Sequence, residues 1–179
     1  ALHGEFGESG EVQALCEQKG LRYTGSNERA SRLGMDKAAT KQILKRGGIA
    51  TPDWMIVEEY HSTQQINAWL EELPPPVVLK PVDGGSSVDV KVATDAEHRD
   101  EMLEYLLDKY GRAMLERYMP GREFTVGVVG GFVFPVMEIV PDGEFYDYRA
   151  KYDDNAVTAY VFDHGLDEEI AESMRRDAL

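Results

Sequence analysis

The stretch that decides the fold is residues 76–92, which read PVVLKPVDGGSSVDVKV. An apolar, mostly β-branched run at residues 77–79 ends on Lys80. The valines at the even positions from 88 to 92 then alternate with polar residues, as one face of a half-buried strand does. We therefore predict a strand, a hydroxyl-rich turn and a returning strand.

The predicted turn carries two glycines and two serines and begins beside Lys80. Glycine lets a backbone lie flat against a ligand with N–H and O–H groups turned towards it, and the lysine adds one fixed cation. Such a loop suits a phosphate group. An ordinary Gly/Ser hairpin loop with a solvated lysine fits the same residues equally well, so this stretch alone leaves both interpretations open.

Composition limits the function. The chain has 179 residues, 42% of them hydrophobic, and a formal net charge of −14, so it can bury a real core but is poorly suited to bind nucleic acid or an anionic membrane. Cys16 is the single cysteine and is interpreted as a small core residue, which fits a reducing compartment. No apolar run reaches membrane-spanning length and no secretion signal is evident, so we expect a cytoplasmic protein.

The two ends indicate a piece of a longer protein. The chain starts at Ala1-Leu2-His3-Gly4, without an initiator methionine, and ends at Leu179 inside a predicted helix, residues 167–179.

Between these ends, apolar periodicity and turn residues predict both helices and strands. The predicted helices contain Val12 to Cys16, residues 37–46 after an Asp36 cap, residues 62–73 with a Ser62/Gln65 capping box, and residues 94–110 with a Thr94/Glu97 capping box and a Gly111 stop. The predicted strands are residues 21–23, 54–57, 113–119, 123–129 and 132–140, the last two joined by Gly130-Gly131.

Lysines and one aromatic loop are the remaining candidates for function. Lys37, Lys41 and Lys45 recur every four residues, and we interpret Lys41 and Lys45 as a solvated face. Residues 116–119 could suit a purine and a ribose, although the residues alone favour a plain edge strand. Residues 144–152 form an aromatic, charged loop of the kind that covers a ligand. No P-loop, dinucleotide, zinc or nucleophile-elbow motif is present.

Taken together, the motifs resemble D-alanine-D-alanine ligases of the ATP-grasp superfamily over roughly the whole chain to Tyr160. They are, in chain order, His3-Gly4 with Gly7-Glu8-x-Gly10, Tyr23-Thr24-Gly25-Ser26, Met35-Asp36-Lys37, Gly48-Ile49-x-Thr51-Pro52, Leu79-Lys80-Pro81, Gly85-Ser86-Ser87-Val88, Gly121-Arg122-Glu123-Phe124-Thr125-Val126 and Phe145-Tyr146-Asp147-Tyr148-x-x-Lys151-Tyr152. Several motifs in register make the resemblance specific.

The resemblance implies an α+β, ATP-grasp fold, in which two lobes hold ATP between antiparallel sheets. Residues 1–30 would end a preceding α/β domain, residues 31–118 would form the central lobe, and residues 119–179 would begin the C-terminal lobe with its lid loop.

The resemblance also implies roles for single residues. Lys37 and Lys80 would bind the ATP phosphates, Ser86 and Ser87 would lie on a mobile loop, and Lys151 would reach the transferred phosphate.

At the other end of the nucleotide, Glu116 would accept from the adenine amino group, with Arg117 beside it. Tyr118 and Met119 would offer backbone to the ring, and Glu123 would hold the ribose hydroxyls.

On the substrate side, His3 supported by Glu8 would orient the first D-alanine, and Ser86 would face the substrate and pair with Tyr152. Ser86, Tyr152 and Lys151 would be the catalytic residues.

The implied chemistry has two steps. ATP phosphorylates the carboxylate of the first D-alanine, and the amine of the second attacks the acyl phosphate to give D-alanyl-D-alanine for peptidoglycan. Lysines, Mg²⁺ or Mn²⁺ and a closing lid would neutralise the developing charge and exclude water. Lys151-Tyr152 is the form of dipeptide-forming members, which favours an amine as second substrate. A homodimer is compatible with this reading.

Two departures keep alternatives open. Asp89 stands where the family usually has glycine, which adds a negative charge near the phosphate loop at a position less suited to Asp if its φ is positive. Nothing after Tyr152 resembles the family's metal-binding segment, so we expect the metal ligands outside this chain. The alternatives are a non-catalytic nucleotide-binding remnant and another ATP-grasp carboxylate-amine ligase.

Overall fold

The computed structural model describes residues 4–141, 143, 150–151, 153 and 156–179. The chain divides into two compact units, Ala1–Met119 and Pro120–Leu179. The first unit contains α1 (Glu5–Glu8), α2 (Glu11–Gln18), α3 (Glu28–Met35), α4 (Lys37–Arg46), β1 (Trp54–Glu58), α5 (Thr63–Glu72), β2 (Val77–Pro81), β3 (Lys91–Ala93), α6 (Ala96–Tyr110) and β4 (Arg112–Arg117). The second contains β5 (Glu123–Thr125), β6 (Val128–Val129), β7 (Phe132–Val133), β8 (Met137–Val140), β9 (Ala159–Val161) and α7 (Glu168–Asp177).

The strands of the first unit form one antiparallel sheet in the order β1-β4-β2-β3. The predicted hairpin is confirmed, since β2 pairs with β3 and Val77 lies opposite Ala93. The returning strand is shorter than predicted, because the turn extends over residues 82–90 and Val88 is 47% exposed. The prediction that Val88 and Val90 belong to a strand face is therefore wrong. Apolar and polar residues can also alternate by chance in a loop, where they do not form the two faces of a strand.

One face of this sheet carries the apolar core. Side chains alternate between the faces of a strand, so Leu79 on β2 and Leu115 on β4 point to the same side, and both are fully buried. They pack in one cluster with Leu106 of α6 and Leu70 of α5. Leu70 and Leu73 belong to this core, with Ile66 and Trp69 packed against it, as their i, i+3, i+4 and i+7 spacing predicts. The predicted Ser62/Gln65 capping box is confirmed.

Helix boundaries follow local caps, with one correction. The Asp36 carboxylate accepts from the Ala39 N–H at 2.9 Å at the start of α4, as predicted. Gly111 ends α6 with a φ of 71°, also as predicted. The N-cap of α6 is Asp95 and not Thr94, since the Asp95 carboxylate accepts from the His98 N–H at 2.9 Å. A carboxylate competes well with a hydroxyl for this position.

Two predictions for the beginning of the chain are wrong. Residues 21–23 are not a strand, because this short run pairs with no strand among the residues that the structure describes. The glycines at positions 4, 7 and 10 predict a turn over residues 3–10, but the described part of this segment contains the single-turn helix α1. Helix α3 was not predicted from the sequence.

In the second unit, the Gly130-Gly131 hairpin is confirmed, with Val129 opposite Phe132. The two long strands predicted on either side are each interrupted: β6 pairs with β7 next to the turn, and β5 pairs with β8 further from it. Strand β8 also pairs with β9. Helix α7 starts after an Asp167 cap. Across the described residues, none of the helices combines the length and apolar character that crossing a membrane requires.

Candidate active site

The sheet face opposite the core carries charged side chains. Lys80 on β2 lies opposite Met114, and Glu116 on β4 lies opposite Val78, so Lys80 and Glu116 are diagonal neighbours on this face. Lys80 donates to one oxygen of Glu116, and Lys41 of α4 donates to the other. The side chains of Lys41, Glu116 and Lys80 are only 8%, 12% and 18% exposed. One buried carboxylate thus holds two ammonium groups.

Lys41 is not solvated, which corrects the interpretation of its sequence pattern. It is buried, donates to the Thr51 hydroxyl as well as to Glu116, and lies 4.9 Å from the centroid of the Trp54 ring. A lysine every fourth residue follows one helix face, and Lys41, the middle lysine of that face, is turned onto the sheet. Lys45 is exposed, as predicted.

Electrostatics keep this carboxylate ionised. Burial alone would raise the pKa of Glu116, but the hydrogen bonds from Lys41 and Lys80 outweigh burial and hold the pKa of Glu116 below its usual value. Glu116 can therefore accept hydrogen bonds across the physiological pH range.

Lys37 is tied to the start of the serine loop, which we define as residues 82–90. The Nζ of Lys37 donates to the carbonyl oxygen of Gly84 at 2.8 Å, and the backbone N–H of Lys37 donates to the carbonyl oxygen of Val82 at 3.1 Å. Burial, reinforced by the charge of Lys80, lowers the pKa of Lys37 to about 8. A bound anion would favour the protonated form of Lys37 and so oppose both effects.

The serine loop has an unusual backbone. Ser86, Ser87 and Asp89 have φ values of 55°, 57° and 54°, in the left-handed region that residues other than Gly adopt infrequently, although Asn and Asp do so more often than Ser. Strained backbone of this kind occurs often at ligand sites.

Ser86 and Glu8 line one cavity of about 470 Å³, so two residues predicted for the substrate site lie together. A Glu8 carboxylate oxygen accepts from the Gly4 N–H at 2.9 Å. Gln13, which the sequence analysis missed, is buried beside them and donates to the Gly7 carbonyl at 3.0 Å. A polar residue on the inner face of α2 was the available signal.

Asp89 has the positive φ that was considered for this position from the sequence, and its carboxylate is turned towards α6. Lys109 donates to it at 2.8 Å, and the hydroxyl of Tyr110 donates to the same oxygen at 2.5 Å. The negative charge in the serine loop is therefore matched by a cation outside the loop.

The remaining predicted residues are spread over the chain. Strand β4 ends at Arg117, so Tyr118 and Met119 lie beyond its pairing, with Met119 exposed. Arg117 is exposed and pairs with Asp53. Glu123 lies on β5 and Lys151 follows the aromatic loop, both half-buried in the second unit.

Some predicted positions fall outside the described residues. These are His3, Tyr152 and residues 144–149 of the aromatic loop. Within the part of the chain that is described, no three His, Cys, Asp or Glu side chains are grouped to hold a metal ion.

Comparison with known proteins decides the family. A family model described as "D-ala D-ala ligase C-terminus" matches residues 43–179. The chain belongs to the D-alanine-D-alanine ligase family. The resemblance inferred from the motifs is thereby confirmed.

Individual relatives agree. The chain is 44% identical over 153 residues to a D-alanine-D-alanine ligase of Gloeobacter violaceus, a match that covers 85% of this chain and 51% of that protein. It is similar to the crystal structure of the Bacillus anthracis D-alanine-D-alanine ligase, with 37% identity, a TM-score of 0.82, and coverage of 99% of this chain and 57% of that one. It is also similar to the structure of that enzyme complexed with ATP, with 35% identity, a TM-score of 0.79, and coverage of 99% and 56%.

These similarities confirm the predicted ATP-grasp fold in a mixed helix and sheet chain. The chain spans about half the length of the curated relatives it matches.

Proposed function

We propose that the protein to which this chain belongs joins two D-alanines into D-alanyl-D-alanine through an acyl phosphate, at the expense of ATP. In this proposal the product serves peptidoglycan synthesis in the cytoplasm. Residues 31–118 are the central lobe, residues 119–179 begin the second lobe, and residues 1–30 end the preceding domain. The observation that carries the proposal is the grouping of Lys37, Lys80 and Glu116 beside the serine loop, in a chain whose relatives bear this ligase name.

The lysines would receive the ATP phosphates. The Lys80 side chain is only 18% exposed, so its ammonium is already largely desolvated, and it would exchange its bond to Glu116 for a phosphate oxygen. Lys37 would exchange its bond to the Gly84 carbonyl for a phosphate oxygen. Once bound to the phosphates, both ammonium groups would stabilise the negative charge that develops in the reaction.

Glu116 would then accept from the adenine amino group, because its lowered pKa keeps it an acceptor. Lys41 would keep that carboxylate partly neutralised after Lys80 turns to the phosphates. Tyr118 and Met119 would offer backbone groups to the ring, with Arg117 beside them, and Glu123 would bind the ribose hydroxyls.

On the substrate side, Glu8 would support His3 in orienting the first D-alanine. Ser86, which lines the same cavity as Glu8, would face that D-alanine. Lys151 would contact the transferred phosphate and Tyr152 would pair with Ser86. The Lys151-Tyr152 pair favours an amine over a hydroxyl acid as second substrate.

Mg²⁺ or Mn²⁺ is part of the proposal, because a metal ion would balance the phosphate charge. The described residues offer no ligand cluster for it, so we expect its carboxylate ligands elsewhere in the protein. A homodimer is the assembly proposed, to be tested by light scattering.

The test is phosphate release from ATP and Mg²⁺ by the full-length protein, with and without D-alanine. We expect phosphate release to depend on D-alanine. Adding D-lactate to D-alanine should not raise the rate of release above the rate with D-alanine alone. ATP binding without D-alanine-dependent release would instead establish a non-catalytic nucleotide-binding protein. Release with a different amino acid only would indicate another carboxylate-amine ligase.

A further inference from the structure

The serine loop is held at both ends, and only the first end uses residues proposed for ATP. At the first end, Lys37 holds the Gly84 carbonyl, and Arg112 pairs with Asp83 at 2.7 Å. At the far end, the carboxylate of Asp89 contacts α6. Gly85, Ser86 and Ser87, whose N–H and O–H groups would meet a phosphate, lie between the two attachments.

The far attachment is a cluster and not a single ion pair. Lys109 donates to one oxygen of Asp89 at 2.8 Å, Tyr110 donates to the same oxygen at 2.5 Å, and Tyr105 donates to the other at 3.3 Å. Lys109 also donates to the Tyr105 hydroxyl at 2.8 Å and lies 5.3 Å and 5.2 Å from the centroids of the two tyrosine rings. Each of the four side chains therefore contacts at least two others.

The backbone conformation of the serine loop explains why such a cluster is needed. With Ser86, Ser87 and Asp89 all in the left-handed region, the loop adopts a conformation that is intrinsically costly and needs external contacts to persist. Within the loop, the Val88 N–H donates to the Gly85 carbonyl at 3.2 Å and the Val90 N–H donates to the Ser87 carbonyl at 3.4 Å, which are long bonds. Contacts outside the loop must therefore contribute to holding it.

We propose that Asp89 is a positioning residue that fixes the far end of the serine loop on α6 through Lys109, Tyr105 and Tyr110, and so holds Ser86 and Ser87 ready for the nucleotide phosphates. The part of this proposal that concerns nucleotide rests on the proposed function. The negative charge of Asp89 could weaken phosphate binding by the loop. It instead helps to order the loop, because it is paired with Lys109 on α6.

The first test uses the protein without nucleotide. Asp89→Asn retains a residue suited to positive φ but removes the negative charge. Lys109→Met removes the cation without changing the sequence of the loop. We expect amide hydrogen exchange in residues 83–90 to quicken about three- to tenfold in both variants. The double variant should exchange no faster than either single one, because both changes break the same contact.

Two controls make this specific. Asp108→Asn removes the same charge from the α6 residue next to Lys109 and should leave the loop unchanged. Lys109→Arg keeps the cation and should restore slow exchange. Unchanged exchange in residues 83–90 in both Asp89→Asn and Lys109→Met would overturn the anchor.

The second test compares ATP with adenosine, which lacks phosphates, by calorimetry. Loss of a preformed loop should weaken ATP about three- to tenfold in Asp89→Asn and Lys109→Met, in proportion to the lost competent population, with adenosine unaffected. Equal weakening of both ligands would show a general structural effect and overturn the positioning role, as would unchanged ATP affinity. A wild-type protein that binds no ATP would refute the proposed function, while hydrogen exchange would still decide the anchor.

Discussion

Replacing Glu116 by glutamine tests the charge cluster most sharply. The substitution keeps the size of the side chain but leaves the ammonium groups of Lys41 and Lys80 without a counter-charge at sites 8% and 18% exposed. Removing one partner of a buried ion pair costs about 3–5 kcal/mol, whereas an exposed pair contributes about 0–1 kcal/mol. We expect Glu116→Gln to fall in the first range.

Urea unfolding followed by tryptophan fluorescence measures this cost. Both tryptophans of the chain, Trp54 and Trp69, lie in the first unit, so the signal reports on that unit. With a slope of about 2 kcal/mol per M, the midpoint should fall by about 1.5–2.5 M. Asp53→Asn, which breaks the exposed pair with Arg117, is the matched control and should shift the midpoint by less than about 0.5 M.

Charge balance supplies a second check. Adding Lys41→Met to Glu116→Gln removes the more buried of the two unpaired cations and should restore about 1–3 kcal/mol. Because the folded-state pKa of Glu116 is lowered, its stabilisation is present above the unfolded pKa and is lost as pH falls through the folded one. The deficit of Glu116→Gln should therefore shrink in acid. A loss below about 1 kcal/mol at pH 7, or a double variant less stable than Glu116→Gln, would refute the reasoning.

Other predictions concern protonation, the core and a helix cap. The folded pKa of Lys37, about 8, lies below its ordinary value of 10.5, so the unfolded state binds more protons between these pH values and the contribution of Lys37 to stability rises with pH there. Lys37→Met should flatten this rise when the free energy of unfolding is measured by urea titration at several pH values. Parallel pH curves for the wild type and the variant would contradict this expectation. Leu115→Ala should cost about 2–5 kcal/mol of unfolding free energy because the side chain is fully buried, and a loss under 1 kcal/mol would argue against the core described. Ser62→Ala should cost about 0.5–2 kcal/mol through the lost capping box, with Thr63→Ala as a control of smaller effect; equal costs would contradict the cap.

Local chemistry made much of the fold predictable. The β2/β3 hairpin, the Asp36 and Ser62 caps and the Gly111 stop each depend on contacts within a few residues or on strong alternation, and each is confirmed. Errors arose where two local candidates compete, as at Thr94 and Asp95, or where a strand needs a partner, as at residues 21–23.

The charged face was harder to predict because its contacts are distant in sequence. Lys41 and Glu116 are 75 positions apart, and no periodicity in α4 reveals that one lysine of the stripe meets a carboxylate on β4. Asp89 was recognised as unusual from sequence, but its partner Lys109 lies 20 positions away on α6. Motif resemblance predicts Lys37, Lys80, Ser86 and Glu116 as site residues, while the residues that contact them became visible only in the structure.

The central claim is that Lys80 receives the phosphates of ATP. Calorimetric titration of ATP into the wild-type protein and into Lys80→Ala tests it most directly, with adenosine as a phosphate-free ligand and Lys45→Ala as the control at an exposed lysine. We predict that Lys80→Ala weakens ATP by about 10- to 100-fold, since the charged hydrogen bond to the phosphates is lost, while the affinity for adenosine and the ATP affinity of Lys45→Ala change little. Unchanged ATP affinity in Lys80→Ala would contradict the claim.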